Sequence, residues 1–456
     1  MLRLSGGQVE SLFDLGLPIE VRELPADLAA LDRLLAGTTL LAPIARAWDR
    51  AAARRGRPTI PMDRFVRLMV VKQRSGWGYE TLVREVSDSL HLRRFCLIPL
   101  AERVPDESTI RKLARRLGPA VIEEVCRALI VRATTGKRRF LARAARIDST
   151  VVEADVRYPS DLGLAADAAR ALARQGARAR ALAGVGAPRV VNRTRAVNRR
   201  LRTLNRTLAR RTGQGAQAAL RLTGEAGAIV RRSIRESHRL AATLRARARG
   251  RGAQAKLAAA ARLEGLAERA GRVCRQIRQR VAGERIADRL VSMADPDARP
   301  IRKGKLRQPT EFGYVVQLAE LTESTRRGAR GLILPAASRP GAANESDLLP
   351  DTGAEMARCG LRPRELALDG GFVPSGIAEH LPGARRAFIA GRQSAGSRRT
   401  NRRLARYRVG CEGRISHLKR RYGLRRSRLR GYAGARTWAA WAILAYNLDT
   451  LAIRGA

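Results

Sequence analysis

Hydrophobic positions along the chain follow four successive periods. From the start to about residue 135 they recur at helical spacing. Pro61 and Asp63 open a stretch in which Phe65, Leu68, Met69 and Lys72 share that period. Ser75-Gly76-Trp77-Gly78 interrupts it, and Tyr79 to Leu90 forms a second helix. Asp106 or Ser108 then caps a further helix, with Ile110, Leu113 and Leu117 on its apolar side, and Gly118-Pro119 stops it. Around Ile147-Asp148-Ser149-Thr150-Val151-Val152 the pattern becomes that of a strand with one acid in it. From about 164 to 290 it is helical again and rich in Ala and Arg. One apolar face there carries Val197, Leu201, Leu204 and Leu208; another carries Leu263, Leu266, Ala270, Val273 and Ile277, with breaks at 184–188 and 247–252. A helical hairpin pair fits this block better than one long coiled coil. After Pro300 the period falls to two through Tyr314, Val316 and Leu318, and short strands are expected at 331–335, 365–369 and 386–390. A basic loop at 391–403 leads into a last basic helix with an interrupted stripe of Val409, Ile415, Leu418 and Tyr422. The run from Trp438 to Ile453 is short and contains Asn447 and Asp449, so it reads as a buried helix and no membrane span is expected.

Charge changes this picture most. The chain has 456 residues, with 90 Lys+Arg against 41 Asp+Glu, a net +49 that calls for a polyanion. Double-stranded DNA is the expected partner. The helix after Asp106 carries Arg111, Lys112, Arg115 and Arg116 on its outer side, as a helix-turn-helix reader of the major groove would. For the Arg-rich block at 164–290, lining a DNA backbone and simple solvation both remain open. The five cysteines are scattered and the four His are equally dispersed, which argues against a disulfide framework and a zinc site. Glu10, Asp14, Glu20 and Glu23 interrupt the early hydrophobics, so no secretory signal is expected and a cytoplasmic, nucleoid-associated setting is.

Three acids stand in comparable settings. Asp148 lies in a strand; Asp369 ends another, before Gly370 and Gly371; Glu412 lies on the basic helix with Arg408 and Lys419 on the same side of the barrel. In-line cleavage of a phosphodiester is served by two divalent cations about 3.5–4 Å apart, held by hard carboxylates. Two Mg²⁺ ions, with Mn²⁺ as a substitute, are therefore expected on Asp148, Asp369 and Glu412. Arg408 and Lys419 would hold phosphates. A structural acid paired with one of the many Arg residues is the alternative for Asp148. Glu153, Asp155 and Glu311 do not fit the ordered pattern.

Arg408-x3-Glu412-x6-Lys419 resembles the signature around the third acid of DDE transposases from bacterial insertion sequences, with Ala405 in place of the usual Tyr and Tyr407 nearby. Ile147-Asp148-Ser-Thr-Val-Val-Glu-Ala, followed by Tyr158-Pro159-x-Asp161, resembles the family's first-acid segment; Leu368-Asp369-Gly-Gly-Phe372 resembles its second. Residues 301–318 are similar to a strand pair of the family, and 58–118 to its N-terminal domain. The resemblance implies an α/β fold: an RNase H-like core of five mixed strands, with Asp148 on the first, Asp369 on the fourth and Glu412 on a helix beside them. It also implies a helical N-terminal DNA-binding domain (1–135), a core made of 136–160 and 295–456, and a helical insertion at 161–294. The implied activity is binding of terminal inverted repeats, metal-dependent cleavage and strand transfer by a 3′-hydroxyl, in a homodimer. A nuclease of the same fold without strand transfer, or a non-catalytic DNA-binding derivative, are the rival readings.

Overall fold

The computed structural model describes residues 4–5, 12–36, 39–51, 59–135, 139–209, 215–302, 310–341, 343–392 and 396–455. Positions 303–309 of the expected strand pair and 393–395 of the basic loop lie outside the described residues. The chain forms two compact units, one of residues 1–155 and 301–456 and the other of 156–300.

In the first unit, eight strands form one sheet: β1 (Ala144–Ala154), β2 (Arg299–Arg302), β3 (Thr310–Thr322), β4 (Leu332–Ile333), β5 (Ala337–Pro340), β6 (Glu365–Leu368), β7 (Arg386–Ile389) and β8 (Arg426–Ser427). The main path runs β2-β3-β1-β6-β7, with β4 and β5 also on β3 and β8 on the end of β1. β1 pairs antiparallel with β3 and parallel with β6, and β6 pairs parallel with β7, so the sheet is mixed. Among those five strands β6 is the fourth in chain order. The sequence pattern missed β8, whose two residues sit in a basic segment without alternation.

The helices before β1 share the core of the sheet. Helix Gly431–Arg454 packs against Met62–Ser75 and Glu107–Thr134, and Trp441 meets Phe65 edge-on at 5.8 Å. The two polar residues in its apolar run are each engaged. Asn447 donates to the Ile333 carbonyl and accepts from the Ile333 N–H, both at 2.8 Å, which ties β4 to the helix. Asp449 pairs with Arg74 and accepts from the Tyr422 hydroxyl at 2.7 Å. No single helix among the described residues is long and apolar enough to cross a membrane; the pair Ala26–Leu35 and Thr39–Ala47 passes that test only together, bent by 69°. Lys72, which follows the helical period, is 1% exposed, with its ammonium over the rings of Trp438 and Tyr79. Burial, then Arg428, lowers its pKa to about 7.

Asp106 caps Glu107–Thr134 by accepting from the Ser108 N–H. Gly118 breaks that helix with φ 71°, a value that suits a residue without Cβ, and Pro119 follows. Lys112, Arg115 and Arg116 are exposed, while Arg111 is half-buried and pairs with Glu107 at 3.7 Å.

The second unit is four packed helices, Asp161–Ala183, Thr194–Ala209, Gly215–Ala246 and Ala253–Val281. Both expected breaks fall between helices. Val197, Leu204, Leu263, Ala270, Val273 and Ile277 are buried, whereas Leu208 is exposed. The five cysteines are free and buried.

Candidate active site

The register of the sheet brings two of the three acids together. Parallel pairing of β1 with β6 matches Ile147 to Leu368, so Asp148, within β1, stands beside Asp369, the first residue after β6. Gly370 and Gly371 then turn the chain away, and Phe372 donates its N–H to the Asp369 carbonyl.

Glu345 joins them. Among the described residues, Asp148, Glu345 and Asp369 form the group in which each offers a carboxylate oxygen within 4.8 Å of the others. Glu345 is the first residue of helix Glu345–Arg358, whose start carries a capping box between Asn344 and Asp347. Three contacts hold that end in place. Gln317, buried on β3, donates to the Glu345 carbonyl at 2.8 Å and accepts from Thr352 at 2.6 Å. The Ser346 hydroxyl donates to the Gly371 carbonyl and accepts from the Val373 N–H. A Cβ on Gly371 would lie 2.6 Å from Glu345 Oε2, so a larger residue there would push the carboxylate aside. The sequence reading missed Glu345 because it lies in a loop-like Gly-Ala-Ala-Asn segment; the Asn344-x-x-Asp347 spacing was the available signal.

Helix Arg398–Arg421 carries the remaining residues and packs on β1 and β6 through Leu404 and Tyr407 against Ala144 and Ala367. Its buried stripe is Leu404, Tyr407, Cys411 and Leu418. Val409, assigned to the stripe from sequence, is 44% exposed, because nine residues before Leu418 is the opposite side of a helix. Cys411 is packed close enough to Asp148 and Glu320 that burial, and then their charges, push its thiol well up. Its neighbour Glu412 points outward, with a side chain 69% exposed. Arg408 contacts Asp369 at 3.2 Å and Glu412 at 3.7 Å, so one guanidinium stands between those two acids. Lys419 is half-buried two turns on.

Under this helix lies a buried ion pair. Arg146, 1% exposed, meets Glu320 at 2.6 Å, stacks on Tyr407 and donates to the Tyr407 and Ala329 carbonyls. Glu320 also accepts from Arg414 and the Gly331 N–H. Tyr407 hydrogen-bonds Thr322 at 2.6 Å and is structural. Of the acids set aside from sequence, Glu153 is held by Arg426 at 3.0 Å.

All three clustered groups are carboxylates, the donor type that hard Mg²⁺ or Mn²⁺ prefers and soft metals do not. The donor set fits a divalent cation of that class.

Residues 22–116 match the family described as "Transposase domain (DUF772)", and residues 328–448 match "Transposase DDE domain". The first span includes Arg111, Lys112 and Arg115. The second includes Glu345, Asp369, Arg408, Glu412 and Lys419 and leaves Asp148 outside. Comparison with curated proteins and with solved structures returns no match. With the two matches in chain order, and the second laid over β6 and the helices that carry the acids, the chain belongs to the DDE transposases of insertion-sequence type, with an RNase H-like core.

Proposed function

We propose that this transposase binds the terminal inverted repeats of its own element and cuts and joins DNA at Asp148, Asp369 and Glu412. The observation that carries the reading is the side-by-side placement of Asp148, within β1, and Asp369, just past β6, 221 residues apart in the chain. When bound, Mg²⁺ or Mn²⁺ activates the attacking oxygen and neutralises charge on the departing one. Asp148 and Asp369 would hold such an ion by their carboxylates, and Glu412 would offer a ligand to a second from the helix side. Water attacks the phosphorus at the element end and the 3′-oxygen leaves. That 3′-hydroxyl then attacks a target phosphodiester, whose own 3′-oxygen leaves. Arg408 and Lys419 hold the phosphates between which this exchange occurs; for Arg408 this means trading its carboxylate partners for phosphate. The helix carrying Arg111, Lys112 and Arg115 reads the ends, in a region distinct in role from the catalytic sheet and from the inserted helices at 156–300. Two ends brought together require at least a dimer, working on the nucleoid in the cytoplasm.

Asp148→Asn, Asp369→Asn and Glu412→Gln are each expected to lower Mg²⁺-dependent nicking of end DNA by about 10²-fold or more, a loss of roughly 2.7 kcal/mol of transition-state stabilisation, while binding to that DNA survives. Nicking that persists in all three removes the site. Joined products on a target plasmid separate a transposase from a plain nuclease.

A further inference from the structure

We propose that Glu345 is a ligand of the divalent cation held by Asp148 and Asp369. The inference rests on the cation-binding reading above and adds a residue to it. Three oxygens of Asp148, Glu345 and Asp369 lie within 4.8 Å of one another. An octahedral Mg²⁺ or Mn²⁺ with oxygens at about 2.1 Å places ligands about 3 to 4.2 Å apart, within reach of small rotamer adjustments. The carboxylate of Glu412 stands elsewhere: it is 69% exposed, and the Arg408 guanidinium lies between it and Asp369. It is therefore placed for a second ion or for DNA.

A plainer account of Glu345 is that an acid favours the positive end of a helix. Asp347 already serves that end through the capping box. The dipole also gives no reason to bring a third carboxylate within 4.8 Å of Asp148 and Asp369. The approach is built rather than incidental. Gln317 fixes the Glu345 backbone to β3, Ser346 bridges to the turn after Asp369, and Gly371 leaves room that a Cβ would take.

The test is Mn²⁺ binding to the full-length, DNA-free protein by isothermal titration, with the Mn²⁺-induced rise in unfolding temperature as a second reading. Glu345→Gln should weaken Mn²⁺ affinity at least tenfold, while Glu379→Gln, at an exposed acid outside the cluster, stays within twofold of the parent. Gly371→Ala keeps every charge but displaces the Glu345 carboxylate, and should weaken affinity in the same direction. Without metal, Glu345→Gln should unfold as the parent does, so that the difference appears only with Mn²⁺ present. Its nicking should recover at raised Mn²⁺, which a purely structural role for Glu345 would not produce. Unchanged Mn²⁺ affinity in Glu345→Gln, with Asp148→Asn impaired, overturns this proposal and leaves the wider reading intact. Unchanged affinity in Asp148→Asn as well overturns both.

Discussion

Lys72 shows how far one side chain can depart from what its position in a pattern suggests. It follows the apolar period of Met62–Ser75 and is buried like its neighbours, yet it carries an amine between Trp438 and Tyr79. Its folded pKa of about 7 lies below the usual 10.5. Below pH 7 both folded and unfolded chains carry the proton, and the folded state bears the full cost of a buried ammonium. Between about 7 and 10.5 the unfolded chain holds more protons, so stability rises with pH. The two ring faces oppose part of this by favouring the cation. Lys72→Met should therefore be more stable than the parent at pH 6.5, by an amount on the order of a few kcal/mol, and the gap should narrow by pH 9.5. Urea midpoints of both proteins at three pH values decide it, and a gap independent of pH refutes it. The same residue-scale limit hid Glu345 and Glu320. A strand acid or a first-turn acid looks alike in sequence whether it meets solvent, an arginine or two other carboxylates.

At the scale of elements, the basic helix Arg398–Arg421 was legible as a helix, and its charged ridge of Arg408, Glu412 and Lys419 followed from spacing alone. Which side it buries followed only in part: Leu418 and Tyr422 are buried as expected, but Val409 is exposed, and the turns around it pack on Arg146. Gly410 marks the contact. A Cβ there would sit 2.0 Å from Arg146 Nη1 and 2.4 Å from the Arg327 carbonyl. Arg146 cannot yield cheaply, since it is itself buried and moving it breaks its pairing with Glu320 and its bonds to the Tyr407 and Ala329 carbonyls. Gly410→Ala should thus destabilise the protein by about 1–3 kcal/mol and reduce nicking, because Arg408 and Glu412 ride on the displaced helix. Gly413→Ala is the matched control. Nothing lies within 4 Å of its added Cβ, so a helix-favouring alanine there should be neutral or stabilising by up to about 1 kcal/mol. Equal effects of the two substitutions on the unfolding midpoint would remove the packing argument. β1 and β6 were readable from their apolar runs; their pairing was not, because strands 221 residues apart leave no local trace of register.

Across the whole molecule, charge and chain order matter most. The inserted block 156–300 holds 33 Lys and Arg against 10 Asp and Glu, and the acids within it often serve arginines locally, as Glu236 does Arg193 at 2.5 Å. That pairing also holds the Glu236 carboxyl below its usual range. With positive charge spread so widely, end recognition on one helix has to be separated from general attraction. Replacing Arg111 and Arg115 by Ala should weaken binding to element ends and lower the slope of log affinity against log salt by about one per lost phosphate contact. An unchanged slope would move end recognition to another segment. Chain order has a different effect. The helices Met62–Ser75 and Glu107–Thr134 bury their apolar faces on Gly431–Arg454, the final helix, and Asp148 waits for β6. A ribosome adding about 5–20 residues per second needs roughly twenty seconds or longer to reach that helix. Throughout that time the nascent polypeptide carries its arginines without a closed hydrophobic interior, and until β6 is made it lacks the juxtaposed pair of acids as well. A messenger cut short before helix Gly431–Arg454 therefore yields a sticky product, its two earlier helices left without their apolar partner.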